Sequence, residues 1–359
     1  MSSTGASSQS PDPAEDGVVA PDYPAVARSS LVTSVSDHDW GSILQLGRLA
    51  PTPHNTQWYF LHVVDSRTAW VCIDASIAIP FTDPHDQFRF VGLGVFVRHL
   101  ELAACAVGFD LQTTFDETDS SLPVVATILG RLQPDRELSA LLEERRTSRL
   151  AYSSDTVRDD VISAIEALGD RDTSLTLTSN PGTVTAVLEL NNEILLDDLH
   201  DRGTSRELDR WIRYTKRSRR HFKSGFSPAS LATPAWKIWL VFRLRSLLRF
   251  ARVRRWLTTQ YFAQNRAATV GWIYGPLTTR NEQYQAGRLL MGVWLEFTAH
   301  GYSMQPYGSI ITNDAARKRL LRHIGLDEAP GKLVWLIFRA GVSPRPPQSL
   351  RKPVKEYLR

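Results

Sequence analysis

Apolar and polar residues follow two different periods along the chain, and each change of period marks a predicted element. Apolar residues three or four apart predict helices, whereas short aromatic and β-branched runs predict strands. The first part of the chain gives a helix over 36–50, strands over 58–64 and 67–75, an apolar helix over 90–110 and a buried strand over 121–130. The second part repeats helix, strand, apolar helix and buried strand over 155–170, 173–179, 282–303 and 332–341.

The two apolar helices can be aligned with one another. When Gly108 is placed on Gly301, Gly94 falls on Gly287, and both helices end in Ala-x-Gly-aromatic. An internal repeat predicts a duplicated α+β unit, with two halves packed as an intramolecular pseudo-dimer. The alternative is that any two buried helices ended by glycine look alike.

Composition narrows the class of protein. Two cysteines without CxxC spacing argue against a disulfide framework or a structural zinc and favour a reducing, cytoplasmic compartment. Residues 1–30 are rich in Ser, Pro, Ala and Asp and lack an apolar signal core, which predicts a disordered tail. No apolar run is long and charge-free enough to predict a membrane span.

The net charge of +4 is unevenly distributed. Residues 1–140 carry a net charge of −10, whereas residues 210–260 contain 14 Lys and Arg and no acid. Such a basic segment is typical of a solvated face or of a sheath around an anionic ligand. A surface for a membrane or for nucleic acid is the alternative.

Several catalytic signatures are missing from the sequence, which has no P-loop, HExxH or GxSxG motif. The stretch GLGVFV at 92–97 lacks the third glycine of a dinucleotide fingerprint, and close helix packing explains its glycines better. His62, His99 and His300 lie within apolar elements and are predicted to be core histidines. We therefore expect no metal site and no catalytic side chain acting as a nucleophile.

Two polar stretches remain to be explained. In RRTSRLAY, the alternation of Arg145, Thr147 and Arg149 places two guanidinium groups and a hydroxyl on one side of an extended segment. This set suits a phosphate monoester. In GRLAPTPHNTQWYF, prolines, a histidine and two amides separate a helix from a strand. A rigid ligand-binding turn is predicted, although a merely sharp turn would also use prolines.

Together these stretches resemble the nitroreductase family of FMN-dependent oxidoreductases. Residues 145–149 correspond to the family's Arg-x-Ser-x-Lys/Arg motif, and 50–58 to its Ala-Pro-Ser-x-x-Asn-x-Gln-Pro-Trp motif, with the last proline missing. The stretches 301–310 and 343–354 also look like the family's last loop and basic tail. The resemblance implies that FMN is bound by Pro51, Thr52, His54, Asn55, Gln57, Arg145, Thr147, Ser148, Arg149, Gln305, Pro306, Tyr307, Arg351 and Lys352.

The resemblance also implies roles for these residues. Asn55 and Gln57 would face the flavin edge, the loop at 305–307 would lie beside the ring, and Arg351 and Lys352 would reach the phosphate. Since each half carries only one of the two principal motifs, we expect one FMN per chain, bound between the halves. This arrangement is similar to the two-halved branch of the family, which includes mycobacterial dormancy-associated proteins.

The implied architecture is a nitroreductase-like fold in three parts. These are a tail over 1–30, a first half over 31–138, and a second half over 139–359 with a basic helical insert at about 210–262. An internal pseudo-dimer would make a monomer sufficient. The insert is predicted as one basic helix with aromatic ends, either a lid over the flavin or a membrane-surface helix through 236–257.

The implied activity is hydride transfer from NADH or NADPH, through flavin N5, to a small nitro, quinone or enone acceptor. Flavin N5 would carry the chemistry, so no catalytic side chain is required. The alternatives are a biosynthetic FMN-dependent dehydrogenase or oxidase, and a non-catalytic flavin-sequestering protein. Nucleic-acid binding is not expected, because the basic segment has no recognisable reading module.

Overall fold

The computed structural model describes residues 36–117, 124–261 and 265–359. The predicted tail over 1–30 lies outside these residues. Within them, the chain forms two four-stranded antiparallel sheets, each associated with one long buried helix. No helix in this part of the chain combines the length and the apolar character that crossing a membrane requires.

The first sheet has the strand order β1-β2-β4-β3. Its elements are α1 (Ser36–Gly47), β1 (Tyr59–Val63), β2 (Thr68–Ile73), α2 (Gln87–Ala106), β3 (Phe109–Phe115) and β4 (Val124–Arg131). The strands form where apolar residues alternate or run continuously. Most residues of α2 are apolar and buried, because other elements cover the helix on both sides. Helix α3 (Arg136–Glu144) follows and is capped by Asp135, whose side chain accepts from the Leu138 N–H.

The second sheet has the equivalent order β5-β6-β8-β7. Its framework is α4 (Asp159–Glu166), β5 (Ser174–Thr178), β6 (Thr269–Pro276), α10 (Arg280–Ala299), β7 (Ser303–Pro306) and β8 (Lys332–Gly341), with α11 (Gly308–Thr312) and α12 (Asp314–Ile324) before β8. The connection from β5 to β6 contains α5 (Pro181–His200), α6 (Arg202–Arg210), α7 (Lys216–Phe222), α8 (Ala235–Arg243) and α9 (Ala251–Tyr261). The predicted α+β architecture of two halves is confirmed.

The two halves pack through α2 and α10, backbone against backbone. A Cβ atom added to Gly94 would lie 1.9 Å from the carbonyl oxygen of Tyr284, and one added to Gly287 would lie 1.8 Å from that of Val91. Each glycine thus contacts the residue three positions before the other. Such reciprocity is the property of an interface with two-fold symmetry.

The C-terminal segment returns from the second half to the first. The Leu61 N–H donates to the Tyr357 carbonyl at 2.7 Å, and the Arg359 N–H donates to the Leu61 carbonyl at 2.9 Å. The last residues therefore pair with β1 in parallel and cover the edge of the first sheet.

The predicted division at 138/139 falls within α3, and the predicted insert at about 210–262 contains α7, α8 and α9. The domain bounds stay a prediction. The insert is not the single basic helix that the sequence predicts. Leu244 leaves the helical conformation, a short 3-10 turn spans Arg245–Arg249, and Phe250 is extended before α9 begins. The break lets Leu248 pack with Leu196 and Leu257 in a separate cluster.

Candidate functional site

A cavity of about 520 Å³ lies where the two halves and the helical connection meet. This volume is in the range of cofactor and small-molecule sites. The first half contributes the loop before β1 and the face of α2 around Gly92. The second half contributes the segment after α3, the loop after β7, and apolar residues of the connection.

The structure brings most of the predicted site residues to this cavity. Those that line it are Pro51, Thr52, His54, Asn55, Arg145, Thr147, Arg149, Gln305, Pro306, Tyr307 and Arg351. Gln57, Ser148 and Lys352 are not among the lining residues. In the described part of the chain, no group of three or more His, Cys, Asp or Glu side chains is placed to hold a metal ion.

The loop from Thr52 to Gln57 holds an unusual backbone conformation. His54, Asn55 and Gln57 have φ angles of 50°, 55° and 55°, in the left-handed region that glycine normally supplies. The hydroxyl of Thr52 accepts from the Gln57 N–H at 3.0 Å and closes the loop. Strained backbone of this kind is concentrated at functional sites and persists where the surroundings fix it.

The side-chain amide of Asn55 helps to fix this loop, because it forms hydrogen bonds with other segments of the chain. Its Nδ2 donates to the carbonyls of Gly225 at 3.1 Å and Leu350 at 2.9 Å, and its Oδ1 accepts from Arg351 at 2.7 Å. Asn55 also lines the cavity, and the predicted contact of its amide with the flavin edge stays a prediction. The side chain joins the loop to the helical connection and to the C-terminal segment.

Gln57 has a similar structural role. Its Nε2 donates to the Lys223 carbonyl at 3.0 Å, while its Oε1 accepts from the Lys352 N–H at 2.8 Å and from the Tyr357 hydroxyl at 2.6 Å. The Nζ of Lys352 donates to the Gln57 carbonyl at 3.2 Å. The predicted contacts of Gln57 with the flavin and of Lys352 with the phosphate stay predictions.

Alternation in the segment 145–149 separates its hydroxyl groups. Thr147 forms an extended bridge with Met304, so neighbouring side chains point to opposite sides. Ser148 is fully buried, and its hydroxyl accepts from that of Ser343 at 2.8 Å. Ser148 is therefore corrected to a core residue, whereas the predicted alternation of Arg145, Thr147 and Arg149 does bring these three to the cavity.

Five arginines line the cavity, and three of them, Arg145, Arg149 and Arg351, belong to the predicted site and donate to uncharged groups. Arg145 donates to the Leu49 carbonyl and lies 5.2 Å over the Trp294 ring. Arg149 donates to the Ser230 carbonyl at 3.3 Å, and Arg351 donates to Asn55 and to the Leu49 carbonyl. Among the described residues, none of these three forms an ion pair with a carboxylate.

Burial perturbs the pKa values of these arginines, with a smaller effect of neighbouring charges. Burial, followed by the charges of Arg351 and Arg146, lowers the pKa of Arg145 to about 9, and burial lowers the pKa of Arg149 to about 10. Burial also lowers the pKa of Arg351. The Nε atoms of Arg145 and Arg351 are buried without a hydrogen-bond partner among the described residues. An anion in the cavity would supply both the missing charge and the missing acceptors.

His54 presents a neutral ring at the same cavity. Burial, and then the charge of Arg149, lowers the pKa of His54 to about 4. Its ring lies 5.6 Å from that of Phe226, and its Nδ1 is buried without a partner in the described residues. A neutral imidazole can offer one donor and one acceptor to a bound molecule.

The end of β7 and the residue that follows it supply further polar groups to the cavity. Gln305 accepts from Arg339 at 2.9 Å, and the Tyr307 hydroxyl donates to Asn265 at 2.6 Å. Burial raises the pKa of Tyr307, so its hydroxyl stays protonated. These contacts hold both side chains in place at the cavity.

The rest of the wall is apolar. The sequence predicts the insert as a possible lid, but it does not predict which residues form this wall. The wall is formed largely by α5, α8, α9 and the loops between α6 and α8, through Leu196, Leu199, Ile212, Phe226, Ile238, Phe242 and Leu257. Arg339 is a further cavity residue that sequence analysis missed. An arginine inside the apolar run of β8 was an available signal, because a charge in a buried strand needs a reason.

Comparison with known proteins finds likeness at the level of three-dimensional structure. No protein-family model and no curated protein matches the sequence. A nitroreductase with bound FMN from Bacteroides fragilis is 14% identical, with 61% of this chain and 94% of that chain covered and a TM-score of 0.35. A nitroreductase-like protein from Bacillus cereus is 13% identical, with 62% and 94% covered and a TM-score of 0.34.

A third similar structure is an FMN-dependent nitroreductase from Mycobacterium smegmatis in complex with NADPH. It is 15% identical, with 56% of this chain and 86% of that chain covered and a TM-score of 0.28. These three similar structures are nitroreductases and a nitroreductase-like protein. The narrower resemblance to mycobacterial dormancy-associated proteins stays a prediction.

Proposed function

We propose that this chain is an FMN-dependent oxidoreductase of the nitroreductase type, with one FMN in the cavity between its halves. The observation that carries the proposal is the set of three cavity arginines without a carboxylate partner in the described residues. The phosphate of FMN carries the charge and the acceptor oxygens that these groups need. The nitroreductase-like motifs at 50–58 and 145–149 support FMN among the possible phosphate esters.

Each part of the cavity has a role in this proposal. Arg145, Thr147, Arg149 and Arg351 bind the phosphate, while His54 and Gln305 orient the polar edge of the cofactor. The apolar wall excludes water from the site. When bound, FMN would supply hydride transfer between NADH or NADPH and an organic acceptor, for which no protein nucleophile is needed.

Binding affinity tests this assignment without any assay of activity. FMN and riboflavin are titrated into the flavin-free protein and followed by flavin fluorescence. Because each charged hydrogen bond contributes about 1.5–3 kcal/mol, FMN should bind at least about a hundredfold more tightly than riboflavin. Arg145→Gln and Arg149→Gln should each weaken FMN by about tenfold or more and leave riboflavin nearly unchanged. The exposed Arg136, changed to Gln, is the matched control.

Equal affinity for the two flavins would contradict the phosphate assignment. Anaerobic NADPH then separates the reductase from its rivals. Bleaching of the flavin absorbance supports the reductase. A persistent spectrum would favour a flavin-sequestering protein, which the apolar wall around the cavity also suits, or an enzyme that reduces its flavin with an organic substrate.

A further inference from the structure

The segment from α8 to α9 exposes an unusual number of large apolar side chains. Those with the largest exposure in this segment are Trp236, Trp239, Leu244, Leu247, Phe250 and Trp256. Trp236 and Trp256 are 63% and 56% exposed, although exposed tryptophans are rare on soluble surfaces. Other exposed large apolar residues of the described chain are spread over several elements.

Cations lie among these apolar side chains and contact them. The Nζ of Lys237 lies 5.6 Å from the ring centre of Trp236, and the guanidinium of Arg249 lies 4.7 Å from that of Phe250. Arg243, Arg252 and Arg255 are exposed on the same segment. Since residues 210–260 contain no acid, no carboxylate of this segment neutralises them.

The inner face of the segment is already occupied. Ile238 and Phe242 are buried with Ile212, while Leu248 and Leu257 are buried with Leu196. The segment is therefore apolar on both faces, whereas a surface helix of a globular protein has one apolar and one polar face. The lid and the membrane interpretations use opposite faces, so they do not exclude one another.

We propose that the outer face of residues 236–256 docks on an anionic lipid surface. Tryptophan and arginine together suit the boundary between headgroups and acyl chains, where rings insert and cations meet lipid phosphates. A second copy of the chain would place like charges face to face. Nucleic acid would pair with the arginines but would leave Leu244 and Leu247 without a favourable environment. This inference does not depend on the identity of the cavity's ligand.

Co-sedimentation of the full chain with vesicles tests the proposal. We expect binding to phosphatidylcholine vesicles in which about a third of the lipid is phosphatidylglycerol, and much weaker binding to phosphatidylcholine alone. Changing Arg243, Arg249, Arg252 and Arg255 to Gln should reduce partitioning at least about a hundredfold, at about 1 kcal/mol per charge. Changing Trp236, Trp239 and Trp256 to Ser should also reduce it and abolish the blue shift of tryptophan fluorescence on binding.

A matched control changes two exposed leucines of the first half, Leu129 and Leu132, to Ser and should not alter binding. An unchanged midpoint of thermal unfolding in every variant shows that the fold is intact. Absence of vesicle binding by the wild-type chain, or equal binding by the Trp variant, would overturn the proposal.

Two further outcomes would reassign the surface. A concentration-dependent dimer that is lost in the Trp variant would assign the face to a second copy. Binding to duplex DNA at physiological salt that the Arg variant loses and the Trp variant keeps would assign it to nucleic acid.

Discussion

The loop before the first strand of each half shows how one fold unit can serve two purposes. In the first half, the loop before β1 has three non-glycine residues with positive φ and lines the cavity. In the second half, the turn before β5 has none, and Asp170 closes it by accepting from the N–H groups of Asp172 and Thr173. The topology is shared, but the strain is confined to the loop at the site. Two units with the same strand order therefore differ at this position, one having a strained loop and the other a turn closed by a side chain.

The largest expected effect concerns the contact between α2 and α10, in which Gly94 and Gly287 have equivalent positions. Gly94→Ala and Gly287→Ala each force a Cβ into a backbone carbonyl, and each should destabilise the fold by about 3 kcal/mol or more. Gly292→Ala on α10 meets no atom within 4 Å and should be neutral or slightly stabilising. Thermal or urea unfolding measures all three, and markedly unequal costs at Gly94 and Gly287 would break the equivalence.

The second prediction tests whether the strained loop before β1 depends on the side chain of Asn55. Asn55→Ala removes the hydrogen bonds that hold the loop, the helical connection and the C-terminal segment together, and it also disfavours the positive φ. We expect a loss of about 2–3 kcal/mol and faster proteolysis of the C-terminal segment. Asn55→Gly is compatible with the positive φ and should recover the part of the stability loss that comes from the backbone conformation. If Gly and Ala behaved alike, the backbone strain would be negligible.

The third effect is a pH dependence centred on the site loop. The pKa of His54 is lowered to about 4 from 6.5, so its neutral form stabilises the fold fully above pH 6.5 and this contribution is lost as pH falls toward 4. At pH 5 the unfolded state binds more protons, and the expected loss is about 1–2 kcal/mol. His54→Asn, which tolerates positive φ, should make stability less dependent on pH between 7 and 5.

Other buried groups make a difference measurement necessary. His99, whose pKa burial lowers to about 3, acts in the same direction as His54. Asp83 and Asp198, whose pKa values burial raises to about 6, act in the opposite direction. The slope of the variant is therefore compared with that of the wild type, and His300→Asn at an exposed position is the control. Identical slopes for His54→Asn and wild type would contradict the assignment.

The smallest effect concerns the turn of the second half. Asp170→Ala should cost about 1 kcal/mol, since it removes an exposed side chain that closes a turn. It should leave flavin affinity unchanged, in contrast to changes in the loop at 52–57. Weaker flavin binding in this variant would show that the second half's turn also contributes to a site.

Local patterns explain which elements the sequence could predict. The apolar run of β8 and the glycine-containing helices α2 and α10 are recognisable because most residues of each are apolar and buried. Helix α5 was missed, although Asn180 caps it and Pro181 occupies its first turn, a readable start signal. Strand β6 was missed although it contains aromatic and β-branched residues, because it follows the helical connection without a clear turn.

The candidate site was predictable only in part for a physical reason. Motif residues such as Arg145 and Arg149 are close in sequence, and the period of an extended segment places them together. The apolar wall, by contrast, depends on how α5, α8 and α9 fold back over the cavity. The roles of Asn55 and Gln57 depend on carbonyls supplied from residues 223–225 and 350. Such long-range partners leave no local pattern.

The return of the C-terminal segment has a consequence for how the two halves depend on one another. Leu350, Arg351, Lys352 and Tyr357 follow the last strand of the second half, yet they form hydrogen bonds with Asn55 and Gln57 in the loop of the first half. Further partners of these two amides are carbonyls of the helical connection. The first half therefore carries the sequence of the loop at 52–57 but lacks most of the partners of its two amides, so the cavity is a property of the whole arrangement and of neither half alone.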